Sequence, residues 1–184
     1  MTPLTEATIR EPLRAVLAAR VVMRAPPASG TASAVLVPLF ERNGEAHVWL
    51  MLRAEGLRKH GGQVAFPGGK TDPGDASGRD AGVREAYEEI GLPEASIDVL
   101  GQLDDLVSGT GFTISPFVAW VTDAFTPTPN PTEVAKVFAA PLRTFFEHPR
   151  GLAPFQGHAV EGQFVWGATA KILRDLVQLL RRNR

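Results

Sequence analysis

The segment "REAYEEIGL", Arg84 to Leu92, places three carboxylates within five residues, Glu85, Glu88 and Glu89. If it is helical, Glu85, Glu88 and Glu89 fall at i, i+3 and i+4, so three carboxylates share one face within reach of one another. Like charges at that spacing repel by roughly 0.2–0.5 kcal/mol per pair, and glutamates in a last turn also face the negative end of the helix macrodipole. A divalent cation would offset both effects. Carboxylate oxygens are the hard ligands that Mg²⁺ takes, one or two at a time, while water and substrate phosphate fill its remaining positions. The same spacing equally fits a solvated acidic face on which Arg84 and Glu88 form a weak i,i+4 pair.

The elements around these residues decide how they are held. Val83, Ala86, Tyr87 and Ile90 recur at the spacing of a buried stripe, which predicts an amphipathic helix packed through that stripe and ended by Gly91 in a left-handed conformation. Asp75 or Ser77 is the expected N-cap. Upstream, "VAFPGG" reads as a short strand entering a glycine turn, and "KTDPGDASGRD" leads from that turn into the helix. "AVLVPLF" and "AHVWLMLR" read as strands of a hairpin closed by Asn43-Gly44. A long connection containing "GLRKHGGQ" separates that hairpin from the glycine turn. A helix is expected over Glu6 to Ala19, strands near Val99 to Leu103, Thr113 to Val121 and Glu133 to Ala139, a short helix in "PLRTFFEH", a last strand in "GQFVWG", and a closing helix in "ATAKILRDLVQLLRR". Strands mixed with three helices indicate an α/β or α+β sandwich rather than a simple βαβ array.

Composition narrows the class. With 184 residues, 44% hydrophobic and 21% charged, the chain suits one globular domain spanning 1–184. A net charge of -1 provides no electrostatic footprint for nucleic acid or an acidic membrane. The absence of cysteine excludes disulfides, thiolate nucleophiles and Cys-type zinc sites. No signal-peptide core and no run approaching the ~20 apolar residues of a membrane span is present, so a cytoplasmic protein without a membrane partner is expected.

"FPGGKTDPGD" followed by "REAYEEIGL" resembles the signature of the Nudix hydrolases, Gly-x5-Glu-x7-Arg-Glu-U-x-Glu-Glu-x-Gly-U with U aliphatic. Arg84, Glu85, Ala86, Glu88, Glu89, Gly91 and Leu92 match the helical half. The first half departs: five residues separate Gly69 from Asp75, which stands where the signature has Glu, and eight rather than seven separate Asp75 from Arg84. At that place the chain resembles the coenzyme A pyrophosphatase-like subgroup, which carries a pattern close to Leu-Arg-x-His-x-Gly-x-Val-x-Phe-Pro-Gly-Gly-Lys; Leu57 to Lys70 reads "LRKHGGQVAFPGGK". "SGTGFTISPFVA", "NPTEVAKVFAAPL" and "WGATAKIL" also look like that subgroup, so the likeness extends from about Val35 to Leu173.

The resemblance implies a Nudix-type α/β/α sandwich around a mixed sheet, with a box at 69–92, and metal-dependent hydrolysis of a diphosphate in coenzyme A or its derivatives. It implies Mg²⁺ or Mn²⁺ as cofactor, held first by Glu85 and Glu89, with Glu88 completing the shell or serving as base. Arg84 is expected to orient the helix carboxylates. Gly68 and Gly69 are expected to adopt backbone geometry closed to other residues and to let a carbonyl approach the metal. Arg53, Arg58 and Lys59, with Gly69, are expected to meet the phosphates of a small nucleotide substrate of the coenzyme A type; a solvated basic loop is the plainer alternative. His60 reads as a loop hydrogen-bonding residue, and Glu133 as a late carboxylate ranked below the helix glutamates. A homodimer is left open. The competing functions are hydrolysis of ADP-ribose or a dinucleotide, and nucleotide sensing by a catalytically silent domain, which should lack part of the glutamate set.

Overall fold

A computed structural model describes residues 3–26, 32–57, 60–109, 111–122, 124–151 and 156–183. In chain order the elements are α1 (Glu6–Ala19), β1 (Ala32–Arg42), β2 (Glu45–Arg53), β3 (Val64–Ala65), β4 (Gly68–Lys70), α2 (Gly78–Ile90), β5 (Ile97–Gln102), β6 (Leu106–Val107), β7 (Thr113–Val121), β8 (Val134–Pro141), β9 (Gly157–Val160), β10 (Gln163–Trp166) and α3 (Gly167–Arg182). Short 3₁₀ turns occupy Glu94–Ser96 and Leu142–Phe146, the second falling on the expected short helix.

β1 organises the larger, mixed sheet. It pairs in parallel with β7 from Ala32↔Thr113 to Leu39↔Trp120, and antiparallel with β2 only at its far end, from Leu39↔Val48 to Arg42↔Glu45. Asn43 and Gly44 close that hairpin with φ of 53° and 75°, the positive values a two-residue type I′ turn needs. Beyond Leu39 the two strands splay, and the segment from Val64 to Lys70 fills the gap. β3 pairs with β2 through Met51↔Ala65, and β4 pairs with β1 through Ala34↔Gly69. β8 flanks the other edge of β2, and β5 and β6 pair with β7. β9 and β10 form a separate hairpin, of which only β10 was expected, in "GQFVWG".

Alternation along the strands fills two cores. Val37, Leu39, Val48, Leu50, Val118 and Trp120 pack with α1 and α3, whereas Leu36, Trp49, Met51, Ala119 and Val121 point the other way and pack with α2. Successive strand side chains face opposite sides, so helices cover both faces and the expected α/β/α sandwich results. α1 begins at a reciprocal Thr5–Thr8 capping box and buries Ile9, Leu13 and Leu17.

α2 is rotated from its expected setting. Tyr87, placed by periodicity in the buried stripe, is 63% exposed, whereas Glu89 is buried together with Ala81, Gly82, Val83, Ala86 and Ile90. The helix therefore turns a carboxylate, not a phenol ring, toward the sheet. Ser77 rather than Asp75 is the N-cap, its hydroxyl accepting from the Asp80 amide at 3.3 Å, and Gly91 ends the helix at φ 74° as expected. Among the described residues no helix is long and apolar enough to cross a membrane.

Candidate active site

The splay of β1 from β2 presents a backbone amide to α2. Gly68 N–H donates to Glu89 Oε2 at 2.8 Å, and Arg53 Nη1 donates to Oε1 at 3.2 Å. The Glu89 side chain is only 3% exposed, and burial pushes its pKa up to about 7 against the opposing pull of the Gly68 amide and Arg53; the charges of Glu85 and Glu133 push it further up. Glu85, one turn earlier and 16% exposed, is also raised chiefly by burial, with Glu88 and Glu133 adding to the rise and Arg84 opposing it. Glu133 thus acts on both buried carboxylates. It lies in the turn before β8, its carbonyl accepting from the Ala54 amide at 2.8 Å, so β8 begins one residue later than expected.

Arg84 is a hub. Its Nε and Nη2 donate to Asp75 Oδ1 and Oδ2 at 3.0 and 3.1 Å, a fork that holds Asp75 well below the usual carboxylate range. Nη2 also donates to the Lys70 carbonyl at 3.2 Å, and Nη1 reaches Glu85 and Glu88, each at 3.1 Å. One guanidinium therefore ties the loop after β4 to two glutamates of α2. Asp75, which the sequence reading weighed as a cap, instead supplies the partner of Arg84 at the place where the signature has Glu.

Gly68 and Gly69 are required for a reason other than the expected one. Neither has positive φ; both lie in the extended strand β4. A Cβ on Gly68 would strike the Ala34 carbonyl and approach Val35 Cα at 2.7 Å, and a Cβ on Gly69 would strike the carboxylate of Glu85. Close approach, not backbone conformation, excludes a side chain here.

Of the other sequence candidates, Glu88 is 53% exposed and held by Arg84, and His60 shares a hydrogen bond with Gln63 at 3.1 Å in its own loop, as expected. Arg53 lies on Glu89. Arg58 and Lys59 fall outside the described residues. The Gly68 amide was missed as a functional group because a backbone donor leaves no residue-type signal.

Among the described residues, no three acidic or histidine side chains already converge on one point. The donor set nevertheless fits a hard divalent cation. Two carboxylates one turn apart, Glu89 buried and Glu85 half-buried, are raised in pKa chiefly by burial, so an added positive charge would favour their ionised forms. All the available donors are oxygen, the ligand type Mg²⁺ and Mn²⁺ accept.

A helix of glutamates set against a glycine strand, on one face of a mixed sheet covered on both sides, defines the class. The NUDIX domain family model matches residues 30–161, and the chain belongs to the Nudix family. It is a hydrolase of that family. The chain is 44% identical over 156 residues to the protein of Yersinia enterocolitica called Uncharacterized Nudix hydrolase NudL, the match covering 79% of this chain and 80% of that protein. In fold it resembles the NUDIX domain of Shewanella oneidensis NrtR, solved with ADP ribose, with a TM-score of 0.58 at 14% identity over 89% of this chain and 91% of that one. It also resembles the MutT protein of Methanosarcina mazei Go1, with a TM-score of 0.58 at 19% identity over 90% and 99% of the two chains.

Proposed function

We propose that the chain hydrolyses the diphosphate bond of coenzyme A or its derivatives, releasing 3′,5′-ADP and 4′-phosphopantetheine or its acyl form. The observation that carries this reading is the stretch "LRKHGGQVAFPGGK": the part of the sequence that distinguishes the coenzyme A subgroup runs directly into Gly68, whose amide holds Glu89.

In this reading Glu85 and Glu89 hold Mg²⁺ or Mn²⁺, which when bound lowers the pKa of water and neutralises charge on the phosphoryl oxygens. Glu88 completes the shell or takes the proton of the attacking water; its exposed carboxylate, held by Arg84, is open to solvent for either role. Arg84 positions Glu85 and Glu88 through its fork on Asp75, and Gly69 leaves room for the Glu85 carboxylate. The raised pKa values of Glu85 and Glu89 support a cation there, because a divalent ion would return both to the ionised form. The intact glutamate set argues against a silent, nucleotide-sensing domain.

Product analysis on coenzyme A, acyl-coenzyme A, ADP-ribose and NADH with Mg²⁺ or Mn²⁺ tests the substrate. Release of 3′,5′-ADP from coenzyme A should dominate; faster release of AMP from ADP-ribose or NADH would replace this reading with the broader one. Arg58 or Lys59 is proposed to meet the 3′-phosphate. Arg58→Ala or Lys59→Ala should then lower kcat/KM more on coenzyme A than on 3′-dephospho-coenzyme A. Equal losses on both would place these residues on the diphosphate or in a purely structural role.

A further inference from the structure

We infer that Arg53 is an exchangeable counter-ion: it neutralises Glu89 in the metal-free protein and passes to the substrate's diphosphate when a divalent cation takes its place. The inference rests on the reading of Glu89 as a cation ligand. Its basis is how the two Glu89 oxygens are used. Oε2 is bound by the Gly68 amide at 2.8 Å, a fixed backbone donor between paired strands, so Oε1 is the oxygen without a backbone donor and the one more open to a cation. Oε1 is also the oxygen that Arg53 occupies, at 3.2 Å. A divalent ion bound at that oxygen would compete with the guanidinium, because two positive charges at such short range repel.

Three further features make Arg53 able to move and give it somewhere to go. Its side chain is 22% exposed against 3% for Glu89, so Arg53 is open to solvent where its partner is not. The pairing of β2 with β8 shifts register between Leu52 and Arg53, an irregularity of the kind that re-aims a side chain beside an active site. The backbone of Arg53 also closes the following loop, its amide donating to the Gln63 carbonyl at 3.0 Å and its carbonyl accepting from Gly62 at 3.1 Å. Arg53 therefore stands where the glutamate helix meets the basic "GLRKHGG" connection. Displaced from Glu89, a planar fork at that junction suits a phosphate oxygen pair. Cation and substrate would then bind cooperatively, each favouring the arrangement in which Arg53 has left Glu89.

The test is calorimetric and needs no turnover. Mg²⁺ is titrated at mildly alkaline pH into wild type, Arg53→Gln, Arg53→Lys and Glu89→Gln, and a methylene-bridged nucleoside diphosphate is then titrated at saturating Mg²⁺. Arg53→Gln should bind Mg²⁺ severalfold more tightly than wild type, since the competitor is gone, yet bind the analogue about tenfold or more weakly. Arg53→Lys keeps the charge without the fork; it should retain wild-type Mg²⁺ affinity and lose part of the analogue affinity. Opposite signs on the two ligands are the diagnostic, because a residue that merely positions Glu89 would weaken both when removed. Weaker or unchanged Mg²⁺ binding in Arg53→Gln, or undiminished analogue binding in both Arg53 variants, overturns the exchange. Glu89→Gln separates the two levels of the argument: wild-type Mg²⁺ affinity in that variant would remove Glu89 as a ligand altogether, whereas lost Mg²⁺ binding there with no gain in Arg53→Gln would overturn the exchange alone.

Discussion

Two adjacent glycines do different work. Gly68 lies against the β1 backbone, so Gly68→Ala must separate β4 from Ala34 and Val35, and with them the amide that holds Glu89. Gly69 lies against the end of the Glu85 side chain, which can swing away. Gly68→Ala should therefore cost about 1–3 kcal/mol of stability by overpacking as well as activity, whereas Gly69→Ala should keep most of its stability and lose activity through a displaced Glu85. Urea unfolding and kcat on the same preparations check this, and the reverse order would show that the turn is more plastic than its geometry. Glu85→Gln and Glu89→Gln each keep volume and remove charge, so each should lower kcat at least about a hundredfold with the fold retained, as read by circular dichroism and by assays with and without excess EDTA. Wild-type turnover by either variant, or full activity in EDTA, would refute the assignment.

At the scale of elements, α1 is clamped to the sheet by charge as well as by its apolar face. Arg10 donates to Asp98 of β5 through Nε and Nη2 at 2.9 and 2.7 Å, and Arg14 donates to the same carboxylate. Burial alone would raise the Asp98 pKa, but the bonds from Arg14 and Arg10 together outweigh it and hold the group below its ordinary value. A carboxyl depressed in the folded state adds stability that is complete above its unfolded pKa and disappears as pH falls through its lower folded value. Asp98→Asn should thus cost about 1 kcal/mol at neutral pH, the modest figure reflecting partly solvated partners. The gap between variant and wild type should close as acid protonates Asp98. A gap that persists unchanged at the acid end of the titration would assign the loss to packing instead of charge.

For the whole molecule, the sandwich places opposite demands on its two faces. One is covered by α1 and α3 over an apolar core, the other by α2 with a buried glutamate at the edge of a smaller core. Burying under-compensated carboxylate costs stability, and a cation that binds only the native state returns it. Mg²⁺ at ~100 Kd should raise unfolding stability by roughly 2.7 kcal/mol. The gain should be absent from the Glu85→Gln, Glu89→Gln double variant. Superimposable melting curves of wild type with and without Mg²⁺ would remove the cation from this site.

Much of this protein was determined locally. Apolar periodicity located α1, α2 and α3; Asn43-Gly44 closed the first hairpin because positive φ at both positions is a local property; and the order of Gly69, Asp75, Arg84 and the glutamates carried the family. Spacing also showed which glutamates share a helix face. It could not show which face meets the sheet. That was decided by the splay of β1 from β2, which admits Val64 to Lys70 and sets the Gly68 amide against α2, where it donates to Glu89. Hence Glu89 turned inward and Tyr87 outward, against their hydropathy. The same long-range arrangement brought the charge of Glu133 to bear on residues more than forty positions earlier, set Arg53 on Glu89, and gave Arg84 its fork on Asp75. Such pairings depend on strand register and on backbone donors, neither of which is written in the type of any single residue.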